Sequence, residues 1–148
     1  MQNSKHESYS LPDQLAPELT AILTYWRGLR RAENSMPFAD DIDLSAVASV
    51  PQRGMLLEVF EDPLRFRFDY VGQDVCSRFG EPLTGKFSDE IASRSPLEEL
   101  TAQASSTAMG RIPTHYSRQS GYSRILLPTW GEGHVALLLG LVTYTTSR

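Results

Sequence analysis

The sequence predicts an α+β fold: one five-stranded antiparallel sheet with helices packed on one face and an amphipathic helix ahead of it. Three observations predict it. Strand-like segments come as sequential hairpins near both ends of the chain, which favours antiparallel neighbours. The strand–helix–strand alternation that builds a parallel sheet is missing. The segment from Val135 to Val142, Val-Ala-Leu-Leu-Leu-Gly-Leu-Val, is apolar on both alternating faces, as expected of a central strand covered on both sides.

Taken in order, Leu19, Ile22, Leu23, Trp26 and Leu29 recur at helical spacing after Pro17, and Arg27, Arg30 and Arg31 follow where cations complement the helix dipole. This amphipathic helix is expected to end before Met36-Pro37. Asp43 can cap a short helix over Leu44 to Ser49, with Ile42 and Val47 placed as a hydrophobic staple. Met55 to Phe60 reads as a strand, Glu61-Asp62-Pro63 as a turn, and Leu64 to Val71 as its partner, with Leu64, Phe66, Phe68 and Tyr70 on one face.

Val75, Cys76 and Phe79 then share one side of a short helix that Gly80 can terminate, and Gly85 to Ile91 adds another helical turn or two. Ser95-Pro96-Leu97-Glu98 has the residues of a capping box and predicts a helix from Pro96 to about Met109, stopped by Gly110. Three strands follow: Ile112 to Arg118, Tyr122 to Leu127 and His134 to Tyr144. Gln119-Ser120-Gly121 and Thr129 to Gly133 join them. Something must cover the second face of the last strand. The amphipathic helix, or the same helix from a second copy, is the natural cover, which makes a homodimer an expectation.

The 148 residues suit one domain, with 41% hydrophobic and 22% charged residues. Residues 1–16 are expected to form a flexible N-terminal segment and residues 17–148 the domain. A net charge of −4 and a pI near 5.3 offer no basic field for nucleic acid or anionic membranes. Cys76 is the sole cysteine, so an intrachain disulfide is ruled out, in keeping with a reducing cytoplasm. The polar start and the shortness of the longest apolar run argue against a secretory signal and a membrane span.

Five short segments carry a resemblance: Tyr25-Trp26-Arg27-Gly28-Leu29-Arg30; Met36-Pro37 followed by Asp41-Ile42-Asp43; Phe66-Arg67-Phe68 with Tyr70-Val71-Gly72; Leu83-Thr84-Gly85-Lys86; and Leu126-Leu127-Pro128. With them, and with two strands, several helices and three strands in that order, the chain resembles small stand-alone bacterial PAS-domain proteins. It departs from their pattern at Phe38-Ala39-Asp40, which lacks a basic residue after Met-Pro, and at Leu44, where a proline is common. The resemblance implies a PAS-like sensory or signalling module that binds a small ligand or a protein partner. It supplies no catalytic residues, and its output would pass through an unidentified signalling protein.

Other chemistry is thin. Gly80 to Phe87 nearly matches a phosphate-binding loop, but Phe87 replaces the hydroxyl, Pro82 removes a donor and a helix precedes it instead of a strand. Asp40, Asp41 and Asp43 lack the turn glycine and final glutamate of a hard-cation loop. His6, His115 and His134 are scattered, without metal-ligand spacing. His115 with Asp69 is the one conceivable acid–base pair, as in a small cavity enzyme of isomerase type. A cysteine-bearing flavin motif and a haem-ligating histidine are both missing, so the cofactor stays unknown.

A ligand would sit on the sheet face beneath the helices. The residues expected there are Phe66, Phe68, Tyr70, Cys76, Phe79, Phe87, Met109, Tyr116 and Leu126. Such a pocket favours an apolar or aromatic molecule, with Tyr70, Tyr116 and Arg118 as polar anchors. The alternatives to sensing are the isomerase-type enzyme and a purely structural interaction module with a filled core.

Overall fold

In the computed structural model, which describes residues 9–31, 34–118 and 121–144, five antiparallel strands form one open sheet in an α+β fold. They are β1 (Gly54–Phe60), β2 (Arg65–Val71), β3 (Thr114–Arg118), β4 (Tyr122–Gly131) and β5 (His134–Tyr144), set side by side as β2-β1-β5-β4-β3. The helices are α1 (Pro17–Gly28), α2 (Val50–Arg53), α3 (Gln73–Phe79) and α4 (Leu100–Gly110), with single 3-10 turns at Ala39–Asp41 and Ser88–Glu90. Among the described residues no helix is long and apolar enough to cross a membrane.

The central place of β5, between β1 and β4, accounts for its two apolar rows. Pairing sorts the sheet into two faces. Leu138 stands opposite Leu57 and Pro128, while Leu139 stands opposite Leu56 and Leu127. Met55, Leu57, Phe66, Phe68 and Leu126 fall on the face that carries α4. Ile125, Leu127, Leu139 and Leu141 fall on the other. There α1 packs across β4 and β5 and buries Leu19, Ile22, Leu23 and Trp26. The chain's own helix therefore covers the second face.

Several local expectations shift, each for a physical reason. The segment after Asp43 is a turn, because the Asp43 carboxylate accepts from both the backbone N–H and the hydroxyl of Ser45. The helix there begins only at Val50, with Pro51 in its first turn. Likewise α4 starts at Leu100 instead of Pro96. The carbonyls of Pro96 and Glu98 accept from the Arg124 guanidinium, and the Glu98 carboxylate accepts from Tyr122 instead of closing a capping box on Ser95.

A bulge at Asp69, opposite the Leu56–Leu57 step of β1, breaks the expected alternation in β2. Phe66 and Phe68 stay on the α4 face, but Tyr70 pairs with Leu56 on the opposite one. Between β4 and β5 the turn is tighter than expected. Strand pairing continues to Gly131, and Glu132 and Gly133 alone turn the chain at φ 54° and 88°. Gly72 permits another close approach: a Cβ there would lie 2.1 Å from the Gln52 carbonyl oxygen.

The expected turn at Gln119 and Ser120 lies outside the described residues, as do residues 1–8 of the expected flexible segment. From Tyr9 onward that segment is packed. Tyr9 is 6% exposed, its hydroxyl donates to Glu99 and its carbonyl accepts the His115 N–H. Leu11, Leu15 and Ala16 lean on the core.

Candidate functional site

The nine residues expected to line a pocket do not assemble one. Phe66, Phe68 and Leu126 are 0% exposed and Phe79 is 2% exposed, so no space the size of a water molecule borders the first three. They are core. Tyr70, on the opposite face, donates its hydroxyl to the Pro51 carbonyl. Cys76 lines a shallow surface groove with Val71, Gly80 and Leu83. Phe87 packs outside the β2 edge, between Phe60 and the Arg65 guanidinium, because Gly85 and Lys86 pair with Phe68 and carry it there. Met109 is 71% exposed near the end of α4, since the helix turns Gln103 and Thr107 inward instead. Tyr116 alone stays at the margin of the helix-covered face, half-buried beside Tyr9 and Tyr122, and accepts from Arg118.

What fills that face is a polar centre built on Arg124, which is 0% exposed. Its Nε donates to the Gln103 side-chain oxygen at 2.7 Å, one terminal nitrogen to the Pro96 carbonyl at 2.9 Å, and the other to the Glu98 carbonyl at 2.8 Å. The guanidinium lies 4.9 Å from the Tyr116 ring centroid. Gln103 donates onward to Thr114, and Thr114 shares a hydrogen bond with Thr107. Among the described residues no carboxylate pairs with Arg124 directly. Burial pulls its pKa down to about 10, opposed by Tyr122 and Tyr116, so it remains charged at neutral pH. The cost of desolvating that charge is offset by three carbonyl acceptors in fixed directions, a geometry that suits a planar guanidinium.

Sequence reasoning missed Arg124, Gln103, Thr107 and Thr114. Two signals were present: an arginine directly ahead of the apolar run Ile125 to Pro128 in the same strand, and Gln103 and Thr107 four residues apart on one helix face.

An open groove of about 560 Å³ lies beside the β4–β5 hairpin, lined by Glu58, Ala136 and Leu137 of the sheet, by Phe38 to Asp41 and by Trp130 to Glu132. Backbone pairing builds its wall: the Trp130 N–H donates to the Pro37 carbonyl at 2.9 Å, and Phe38 bridges to Trp130. Arg31 closes one side, with its guanidinium on both Asp41 carboxylate oxygens at 2.8 and 2.9 Å and 5.5 Å from the Phe38 ring centroid.

Most of the remaining sequence candidates have structural employment, and His6 lies outside the described residues. The amides of Gly80, Gly85 and Lys86 donate to Cys76, Phe68 and Leu83 carbonyls, which leaves the near-match loop without those donors for phosphate. Asp41 holds Arg31 and Asp43 holds Ser45. His115 and Asp69 sit on β3 and β2, opposite edges of the sheet, so the acid–base pair does not form.

Burial, and then Arg124, push the His115 pKa below its ordinary value. The unfolded chain thus takes up this proton at higher pH than the folded one, and the stability contributed is full above the ordinary histidine value and falls as pH drops below it. Denaturation midpoints from pH 7.5 down to 5 are expected to fall less steeply in His115→Gln than in the wild type; equal slopes would contradict this.

Comparison of the chain with protein-family models, with curated proteins and with solved structures finds no match.

Proposed function

We propose that this chain is a non-catalytic, PAS-like interaction module that signals by contact with another protein. The reading is carried by one observation: the sheet face beneath α4, where a PAS-type ligand is expected, is occupied by Phe66, Phe68, Leu126 and the Arg124 centre. Core side chains with no room for water beside them leave binding to the outer surfaces. The layout of two strands, helices and three strands on one antiparallel sheet supports the PAS-like part of the reading, as do the five resembling segments.

The test is native mass spectrometry of freshly purified protein. The expected spectrum carries only the mass of the polypeptide or its multiples. A small molecule retained at one per chain would overturn the reading in favour of a ligand sensor.

A further inference from the structure

We infer that the groove beside the β4–β5 hairpin is the docking surface, and that its occupant is a basic segment of a partner protein that inserts an arginine. The inference rests on the interaction-module reading and deepens it by naming the surface and the chemistry of the partner.

Charge selects the occupant. The groove is lined by four carboxylates, Asp40, Asp41, Glu58 and Glu132, against the single guanidinium of Arg31. Arg31 neutralises Asp41, and Arg67 neutralises Glu58 from outside the groove. Asp40 and Glu132 are left, both exposed and without a cationic partner among the described residues. They line the groove together with the apolar side chains Phe38, Trp130 and Leu137. A cation with an apolar stem satisfies such a surface, whereas an acidic or wholly apolar occupant leaves two charges facing it unpaired.

The chain already shows this recognition within itself. Arg31 lies near the Phe38 ring and forks onto Asp41, and Arg111 lies 5.1 Å from the centroid of Trp130. A second arginine entering between Asp40 and Glu132 meets the same combination of aromatic face and carboxylate. Tryptophan and arginine are the residue types that most often anchor protein interfaces. The volume of about 560 Å³ falls within the roughly 300–1,000 Å³ of sites that enclose a ligand group.

The experiment uses the full chain and an eight-residue peptide of alternating arginine and leucine, with a second peptide in which citrulline replaces every arginine. Amide NMR shifts are expected to map to Asp40, Glu132 and the Trp130 indole. Binding is expected to weaken at least tenfold for the citrulline peptide and at least tenfold in D40N/E132Q. Both positions are exposed, so the variant should keep the wild-type thermal midpoint; a folded variant that binds as tightly as wild type overturns the proposal.

Peptide shifts that map elsewhere also overturn it. Spermine that displaces the peptide and binds more tightly overturns it too, in favour of a small cation as occupant. A protein that carries no retained ligand yet ignores the peptide keeps the module reading and loses this surface. A retained ligand alongside peptide binding at the groove does the reverse.

Discussion

Truncating Arg124 to alanine is expected to destabilise the protein by about 3–5 kcal/mol in urea or guanidinium titration at pH 7. The change leaves the Gln103 side-chain oxygen and the Pro96 and Glu98 carbonyls without their donor. Each buried acceptor so orphaned costs about 1–3 kcal/mol, and the vacated volume adds a cavity term. Arg124→Lys keeps the charge but replaces a planar fork with a point donor, and should lose roughly 2–3 kcal/mol. Arg124→Met fills the space and removes the desolvated charge, so it should cost less than alanine. A loss below about 1 kcal/mol for alanine would show that the centre contributes little.

Alkaline pH adds a second reading of the same residue. Because Arg124 titrates near 10 when folded, the unfolded chain binds more protons between that pH and the ordinary arginine value. Its contribution to stability therefore rises with pH there. Tyr9 and Tyr144 move the other way: burial raises both to about 12, and it raises Tyr122 as well. Their contributions are full below the ordinary tyrosine value and are lost as pH climbs toward the folded values. The wild type should lose stability above pH 10, and Arg124→Met should lose it more steeply.

The fold was readable in the sequence because its main signals are local. Helical spacing from Leu19 to Trp26, alternation in Phe66-Arg67-Phe68, and the doubly apolar run in β5 each reflect burial along one element. What failed involved a partner distant in sequence. The capping box at Ser95 to Glu98 is a sound local pattern, yet Arg124 and Tyr122 from β4 take over its carbonyls and its carboxylate. The position of Tyr70 depended on one extra residue in its own strand, Asp69, whose omission from the pairing shows only against β1.

The binding surface was harder still. A pocket was expected where apolar residues converge, and those residues converge as core. The groove takes its lining from Phe38, Glu58, Trp130 and Leu137, residues joined only by sheet pairing and the Pro37–Trp130 contact. Periodicity along one segment carries no signal for such a surface.

Trp26→Ala should cost about 3–5 kcal/mol, the range for removing a large buried aromatic. Trp26 is 2% exposed, and its indole N–H donates to the Pro128 carbonyl at 2.8 Å. Phenylalanine keeps most of the ring but leaves that carbonyl unpaired, so Trp26→Phe should lose roughly 1–2 kcal/mol. The larger consequence concerns the sheet. Because α1 packs over Ile125, Leu127, Leu139 and Leu141, loosening it uncovers an apolar face at the centre of the sheet.

Trp26→Ala should therefore bind a hydrophobic dye and associate more strongly with itself than the wild type in sedimentation. Fluorescence gives an independent check, because Trp130 is the other tryptophan of the chain and is only half-buried. Trp26→Phe should retain the longer-wavelength part of the emission and lose the shorter. If alanine at position 26 changed neither stability nor dye binding, α1 would not be the cover of that face, and the two apolar rows of β5 would need another.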